Sequence, residues 1–176
     1  MTDAPSAPPD ANAGGLELQL EIAAATDIGQ VREHNEDHFL VGNLDTGAVL
    51  EASSWRGTGE RGPLLVVCDG MGGVEGGEVA SELAAKVMWR ELKATDATSN
   101  PEVFARRLRR AVRVANHEVH AFARREPGLR GMGTTLSAAA VVADRLVVAT
   151  VGDSRAYVLR CGALVQVTRE IGRAHV

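Results

Sequence analysis

The stretch Leu64-Leu65-Val66-Val67-Cys68-Asp69-Gly70-Met71-Gly72-Gly73 decides how the rest of the chain is read. Its continuous apolar run has the length of a strand and suits one buried on both faces. A carboxylate at the end of such a strand is costly unless it is paired or bound to a metal. After the glycine turn the period changes. Val79, Leu83, Val87 and Met88 fall on one stripe of a helix expected to reach about Leu92. Asn100-Pro101 starts a second helix, with Asn as cap and Pro at the first helical position. Phe104, Leu108, Ala111, Ala115, Val119 and Phe122 repeat along it at three or four, and it should end before Pro127-Gly128. Upstream, Leu16, Leu18, Leu20 and Ile22 alternate with polar residues as a half-buried strand, and His38 to Val41 reads as another. Downstream, strands are expected at Thr134 to Val142, Arg145 to Val151, Ala156 to Leu159 and Leu164 to Val167. Short turns at Ala143-Asp144 and Cys161-Gly162 make these antiparallel hairpins. Strands, two helices, then hairpin-linked strands predict an α+β layered fold and not a doubly wound parallel sheet.

A chain of 176 residues suits one domain with a core of its own. Hydrophobic residues at 45% and charged residues at 24% exclude wholly disordered, collagen-like and membrane-spanning classes. A net charge of −4 and an aromatic content of 3% argue against a nucleic-acid or anionic-lipid surface. Cys68 and Cys161 form no CxxC and no disulfide framework, which fits a reducing compartment. No run of about 18 apolar residues is present, and the nearest candidate is cut by Asp144-Arg145. The N-terminus has Asp3 and Asp10 and no apolar centre, so it is not expected to be a signal peptide, and the expected location is cytoplasmic. Residues 1–15, rich in Ala, Pro, Asn and Gly, are expected to be a disordered tail. Asn43 to Pro63 reads as a turn-rich connection, and no internal repeat is visible.

The chemistry is concentrated in acidic loops. Arg32-Glu33-His34-Asn35-Glu36-Asp37 lies between two strands, where a solvated surface loop is the ordinary reading. Asp69 either serves a site or merely caps the next helix. A nucleotide loop fails twice: the dinucleotide fingerprint needs Gly where Glu75 stands, and the P-loop spacing reaches Glu78 where Lys is required. Asp69, Glu75 and Glu78 would repel a bare phosphate, so a phosphate could approach only over divalent cations. Gly152-Asp153-Ser154-Arg155-Ala156 half matches a nucleophile elbow, but it ends in Ala and a strand follows, which excludes serine-hydrolase chemistry. Asp153 is expected to be a buried turn residue bonded to backbone amides, although it could face the same cleft. Gly131-Met132-Gly133-Thr134-Thr135 reads as a flexible lead-in to a strand. His117, His120 and the arginines of the second helix are assigned to solvated faces, and Cys68 to an inert buried thiol.

Together these motifs resemble the bacterial branch of the metal-dependent PP2C-type (PPM) serine/threonine protein phosphatases, over about Ile22 to Arg169. The carriers are Thr26 to Gly29 with Arg32 to Asp37, Val66 to Gly73 with Gly77 to Ser81, Gly131 to Thr135, and Val151 to Tyr157. The resemblance implies a β-sandwich of two antiparallel sheets flanked by helices, truncated here. It implies two Mn²⁺ or Mg²⁺ ions bridged by Asp69, with the Gly70 carbonyl on one and Glu36 holding the other directly or through water. Asp37 would bond to water on the metals and Arg32 would clamp the substrate phosphate, making these two the catalytic residues. Partners would be phosphorylated proteins, those of a bacterial Ser/Thr kinase, with no nucleic acid and no membrane. The chain departs from the family in three places. Met71 stands where eukaryotic members carry His. Gly128-Leu129-Arg130 replaces an Asp that helps hold a third metal in many bacterial members. The family's last two acidic motifs are not found up to Val176 and are expected downstream of it. The closing Ile-Gly-Arg-Ala-His-Val matches the read-through of a common sequencing adapter. Residues 16–170 are therefore expected to be the N-terminal part of a phosphatase domain, and 171–176 a non-native tail. The alternative is a truncated metal-binding or structural fragment without turnover.

Overall fold

The computed structural model describes residues 20–50 and 61–169. Strands β1 (Asp37–Asn43), β2 (Ala48–Leu50) and β3 (Arg61–Met71) come first, followed by helices α1 (Gly73–Lys93) and α2 (Pro101–Arg125). A 3₁₀ turn at Pro127–Leu129 leads to β4 (Gly133–Thr134), β5 (Leu136–Val142), β6 (Arg145–Val151), β7 (Tyr157–Arg160) and β8 (Ala163–Gln166). The larger sheet runs β2-β1-β3-β5-β6, with β4 also on β3, and β7-β8 form a separate ribbon. Every pairing is antiparallel. Antiparallel sheets with two helices make the α+β fold expected from the sequence.

The helices cover one face of the larger sheet. Ala80, Ala84, Val87, Met88 and Leu92 of α1 pack with Phe104, Leu108, Ala111 and Ala115 of α2 over Leu64, Val66, Ala138 and Ala140. Alanines at the contact let helix and sheet backbones approach closely, and larger side chains fill the remainder. Asn100 caps α2 as expected, its Oδ1 accepting from the N–H groups of Glu102 (2.9 Å) and Val103 (3.1 Å). The α2 stripe ends on buried Ala123 and not on Phe122, which is 38% exposed. The two helices are stapled by Arg90, which donates to both oxygens of Glu118 and to Glu91. This pairing pulls the Glu118 carboxyl below its ordinary value. The Cys161-Gly162 turn has positive φ at both residues (50° and 78°), the conformation of a two-residue hairpin.

Three expectations change. β3 is buried on one face only: Leu64, Val66 and Cys68 are buried while Val67 is 52% exposed. The run looked continuous because its outward positions, Leu65 and Val67, are also apolar. The strand expected at Leu16 to Ile22 falls partly outside the described residues, and 20–28 form no ladder. Instead Ile22 to Asp27 lie across β1 and β3, lining a cleft with Phe39 and Val67, so the apolar side chains are half-covered without strand pairing. Thr134 to Val142 is broken at Thr135, whose side chain bonds to β3 where a ladder would have continued. The expected tails, 1–15 and 171–176, lie outside the described residues.

Candidate active site

The β1–β3 register sets Asp37 directly opposite Asp69. One residue further, the Gly70 N–H donates to the Glu36 carbonyl at 3.1 Å, and on its other side Gly70 pairs with Thr134. A Cβ at Gly70 would strike the Gly77 carbonyl and lie 2.7 Å from the Glu36 carbonyl oxygen. A Cβ at Gly77 would strike the Glu36 carboxylate. The two glycines therefore let strand end, acidic loop and the first turns of α1 meet, and the Glu36 side chain is seated against α1.

Asp69 is held by its backbone. Its N–H donates to Thr135 Oγ1 (3.0 Å), and its carbonyl accepts from the Thr135 N–H (2.9 Å) and Thr134 Oγ1 (3.1 Å). Thr135 Oγ1 in turn lies 2.6 Å from Ser154 Oγ. The segment read as a flexible lead-in is thus a clamp that leaves the Asp69 carboxylate pointing out of the ladder. The acidic loop is pinned as well. Asn35 accepts from the Asp37 N–H (3.0 Å) and donates to Thr26 Oγ1 (2.8 Å), while Asp27 accepts from the Gly29 N–H (2.7 Å).

Arg32, Glu36, Asp37, Asp69 and Gly70 line one groove. All five site residues expected from the sequence are brought together. Arg32 is at the rim, its side chain 77% exposed, in a loose pair with Glu36 (3.9 Å). Asp69 does not cap α1: the capping residue is Gly72, with no side-chain bond. Burial pushes the Asp69 carboxyl above its ordinary value, and the charges of Asp37 and Asp153, a hydrogen bond with Asp37 and the charge of Glu36 push it further. Asp153, expected to be a buried turn residue, is exposed, and its charge acts on Asp69 although it does not line the groove. Glu75 and Glu78 do not line the groove, and the charges acting on Asp69 are those of Asp37, Asp153 and Glu36.

The acids and the Gly70 carbonyl suit a hard divalent cation, which would relieve their like charges, and His34 also lines the groove. Among the described residues no three His, Cys, Asp or Glu side chains converge on a single point, so the shell they provide is partial.

Fold and groove define an antiparallel α+β domain with an acid-lined end suited to cations and phosphate. A family model described as Protein phosphatase 2C matches residues 33–175. The chain belongs to the protein phosphatase 2C family. It is 37% identical over 150 residues to the serine/threonine phosphatase stp of Listeria monocytogenes, covering 85% of this chain and 54% of that protein. It is 37% identical over 153 residues to the serine/threonine protein phosphatase PstP of Mycobacterium tuberculosis, covering 87% of this chain and 25% of that one. Among solved structures, Stp1 of Staphylococcus aureus superposes with a TM-score of 0.68 at 30% identity, over 86% of this chain and 53% of that chain. The PstP catalytic domain in complex with two manganese ions superposes with a TM-score of 0.61 at 33% identity, over 87% and 54%. The chain spans about half the length of the Listeria relative it matches.

Proposed function

We propose that this chain carries the leading motifs of a protein phosphatase that hydrolyses phosphoserine and phosphothreonine esters with a metal-activated water, and that residues 16–170 form the N-terminal part of its catalytic domain. The observation that carries the reading is the convergence of Arg32, Glu36, Asp37, Asp69 and Gly70 in one groove. Glu36, Asp69 and the Gly70 carbonyl would hold two divalent cations, Mn²⁺ or Mg²⁺, and the two manganese ions in the mycobacterial relative support the count. When bound, the cations neutralise phosphoryl charge and lower the pKa of an attacking water. The chain's own groups do the positioning. Arg32 sits exposed at the rim, and its loose contact with Glu36 is readily exchanged for two N–H bonds to phosphate. Asp37 accepts a hydrogen bond from water and so orients it, and the clamp on Asp69 keeps the groove from rearranging as charge develops. The water oxygen bonds to phosphorus as the P–O ester bond breaks, a water proton ends on the ester oxygen, and serine or threonine leaves as the alcohol with inorganic phosphate as the other product. Substrates are phosphoproteins, those of a bacterial Ser/Thr kinase, and the site of action is cytoplasmic. Among the described residues no helix is long and apolar enough to cross a membrane.

A second reading, a metal-binding fragment without turnover, is favoured by the partial shell. Phosphate release from a phosphothreonine peptide, with and without Mn²⁺, separates the two when the chain is assayed alone and joined to the remaining half of a relative. Expected is metal-dependent release by the joined protein that Asp69→Asn abolishes. Release that persists in Asp69→Asn without metal would sink the phosphatase reading as drawn.

A further inference from the structure

A second groove adjoins the acidic one. Its floor is apolar, built by Val112, Ala115 and Val119 of α2 against Met132 and Leu136, and it encloses about 850 Å³. Its rim carries the guanidinium groups of Arg113 and Arg124, with His120 between them along α2, and Arg130 lines it from the loop beyond. All four are exposed. No carboxylate among the described residues lies within ion-pair distance of Arg113, Arg124 or Arg130, whereas Arg90 is taken up by Glu91 and Glu118. A chain with net charge −4 thus gathers three unpaired guanidinium groups around one apolar trough. The trough also reaches the reaction groove. Met71, 49% exposed, lines both, and Thr134 in the trough wall bonds to the Asp69 carbonyl.

We infer that this trough docks an acidic peptide segment with an apolar residue, flanking the phosphorylated residue of the protein substrate. The inference rests on the phosphatase reading and names the sequence class of its substrate. Charge complementarity selects the occupant. Carboxylates of the peptide pair with Arg113, Arg124 and Arg130, while a Leu or Phe side chain covers the floor. A basic segment would meet like charge at the rim and is excluded by repulsion. Strands advance about 3.3 Å per residue, so a few residues of extended peptide lead from the trough past Met71 to the acidic groove.

The test uses the whole 176-residue chain and a fluorescent peptide of about a dozen residues rich in Glu with one Leu, carrying no phosphate. Fluorescence anisotropy should show saturable binding that weakens as salt rises. Arg113→Glu with Arg124→Glu should weaken it roughly tenfold, because each exposed pair turns from attraction to repulsion. Arg106→Glu with Arg110→Glu makes the same change of charge on exposed α2 positions outside the trough and should leave affinity within roughly twofold. Equal losses in both double variants would overturn the proposal, since only the overall field would then be sensed. A self-association measured by sedimentation that the trough variant abolishes, without peptide binding, would assign the trough to a second copy. Binding confined to phosphatidylglycerol vesicles would assign it to a lipid surface. Either outcome overturns it. Because this readout needs neither metal nor turnover, its failure is distinct from that of the phosphatase reading, which falls on absent metal-dependent phosphate release.

Discussion

Cys68 and Asp69 are chemical neighbours with opposite fates, because successive side chains on β3 point to opposite faces. The Cys68 thiol faces the core, and burial pushes it up to about 12, partly offset by a hydrogen bond with Thr134. A thiolate is the reactive form, so Cys68 should resist Ellman's reagent at pH 8 while exposed Cys161 reacts at once. Two thiols titrating together in the folded chain would contradict this placement. Asp69 faces the groove, and its carboxyl is raised by burial and by three neighbouring acids. The proton therefore binds the folded state more tightly than the unfolded one. The stability this gives is complete below the ordinary value of 3.8 and is lost as pH rises through the raised folded value. At neutral pH without metal, ionised Asp69 is thus a burden. Asp69→Asn should raise the Tm of the metal-free chain by a few degrees at pH 7 and by little at pH 4, and should remove the Tm increase on adding Mn²⁺. A lower Tm at pH 7 would show that the carboxylate stabilises the fold on its own. The resemblance carried by four ordered motifs is what singled out Arg32, Glu36, Asp37, Asp69 and Gly70; residue type alone left the Arg32–Asp37 loop as solvated surface and Asp69 between a site and a helix cap. Asp153 was not legible, because its position depends on pairing. It lies just past the end of β6 at Val151, and its charge reaches Asp69 only once β5 and β6 are paired.

Among the elements, α2 was the most legible, because its start is encoded chemically and not by pattern alone. The Asn100 side chain satisfies two N–H groups that would otherwise lack partners at the helix end. Asn100→Ala should therefore lower unfolding free energy by about 1 kcal/mol, read from urea melts as a shifted midpoint with an unchanged slope. No shift would mean that packing of Phe104 and Leu108 fixes the helix start without the cap. The β5–β6 and β7–β8 hairpins were legible from their two-residue turns, to within a residue except at the start of β5, expected at Thr134 and found at Leu136. β2 was missed because three residues, Ala48–Leu50, leave no measurable period, and only the pairing with β1 makes them a strand. The break between β4 and β5 was missed for a related reason. Thr134 and Thr135 have strand propensity, yet their hydroxyls are committed to Asp69 and Ser154.

At the scale of the whole molecule, the helices close one side of the sheet and leave the other open. Val67 and Leu146 are 52% and 51% exposed on the larger sheet, and in the ribbon Leu159, Leu164 and Val165 are 70%, 65% and 56% exposed. Single exposed aliphatics are ordinary, but Leu159 and Leu164 stand opposite each other on paired strands of the ribbon, and adjoining apolar strand surface favours association with other chains. The acidic groove adds a second penalty, since its carboxylates repel one another until a cation is present. Both act in the same direction on the 176-residue chain taken by itself. It should sediment as concentration-dependent oligomers, bind the dye ANS, and turn over a phosphothreonine peptide far more slowly than the chain joined to a relative's remaining half, even with millimolar Mn²⁺. Replacing Leu159 and Leu164 with Lys tests the cause, because a charge on the ribbon's apolar face should restore a monomer without touching the groove. If the unsubstituted chain is already a monomer that binds no ANS and matches the joined protein in kcat, then neither the open sheet face nor the partial metal shell limits it.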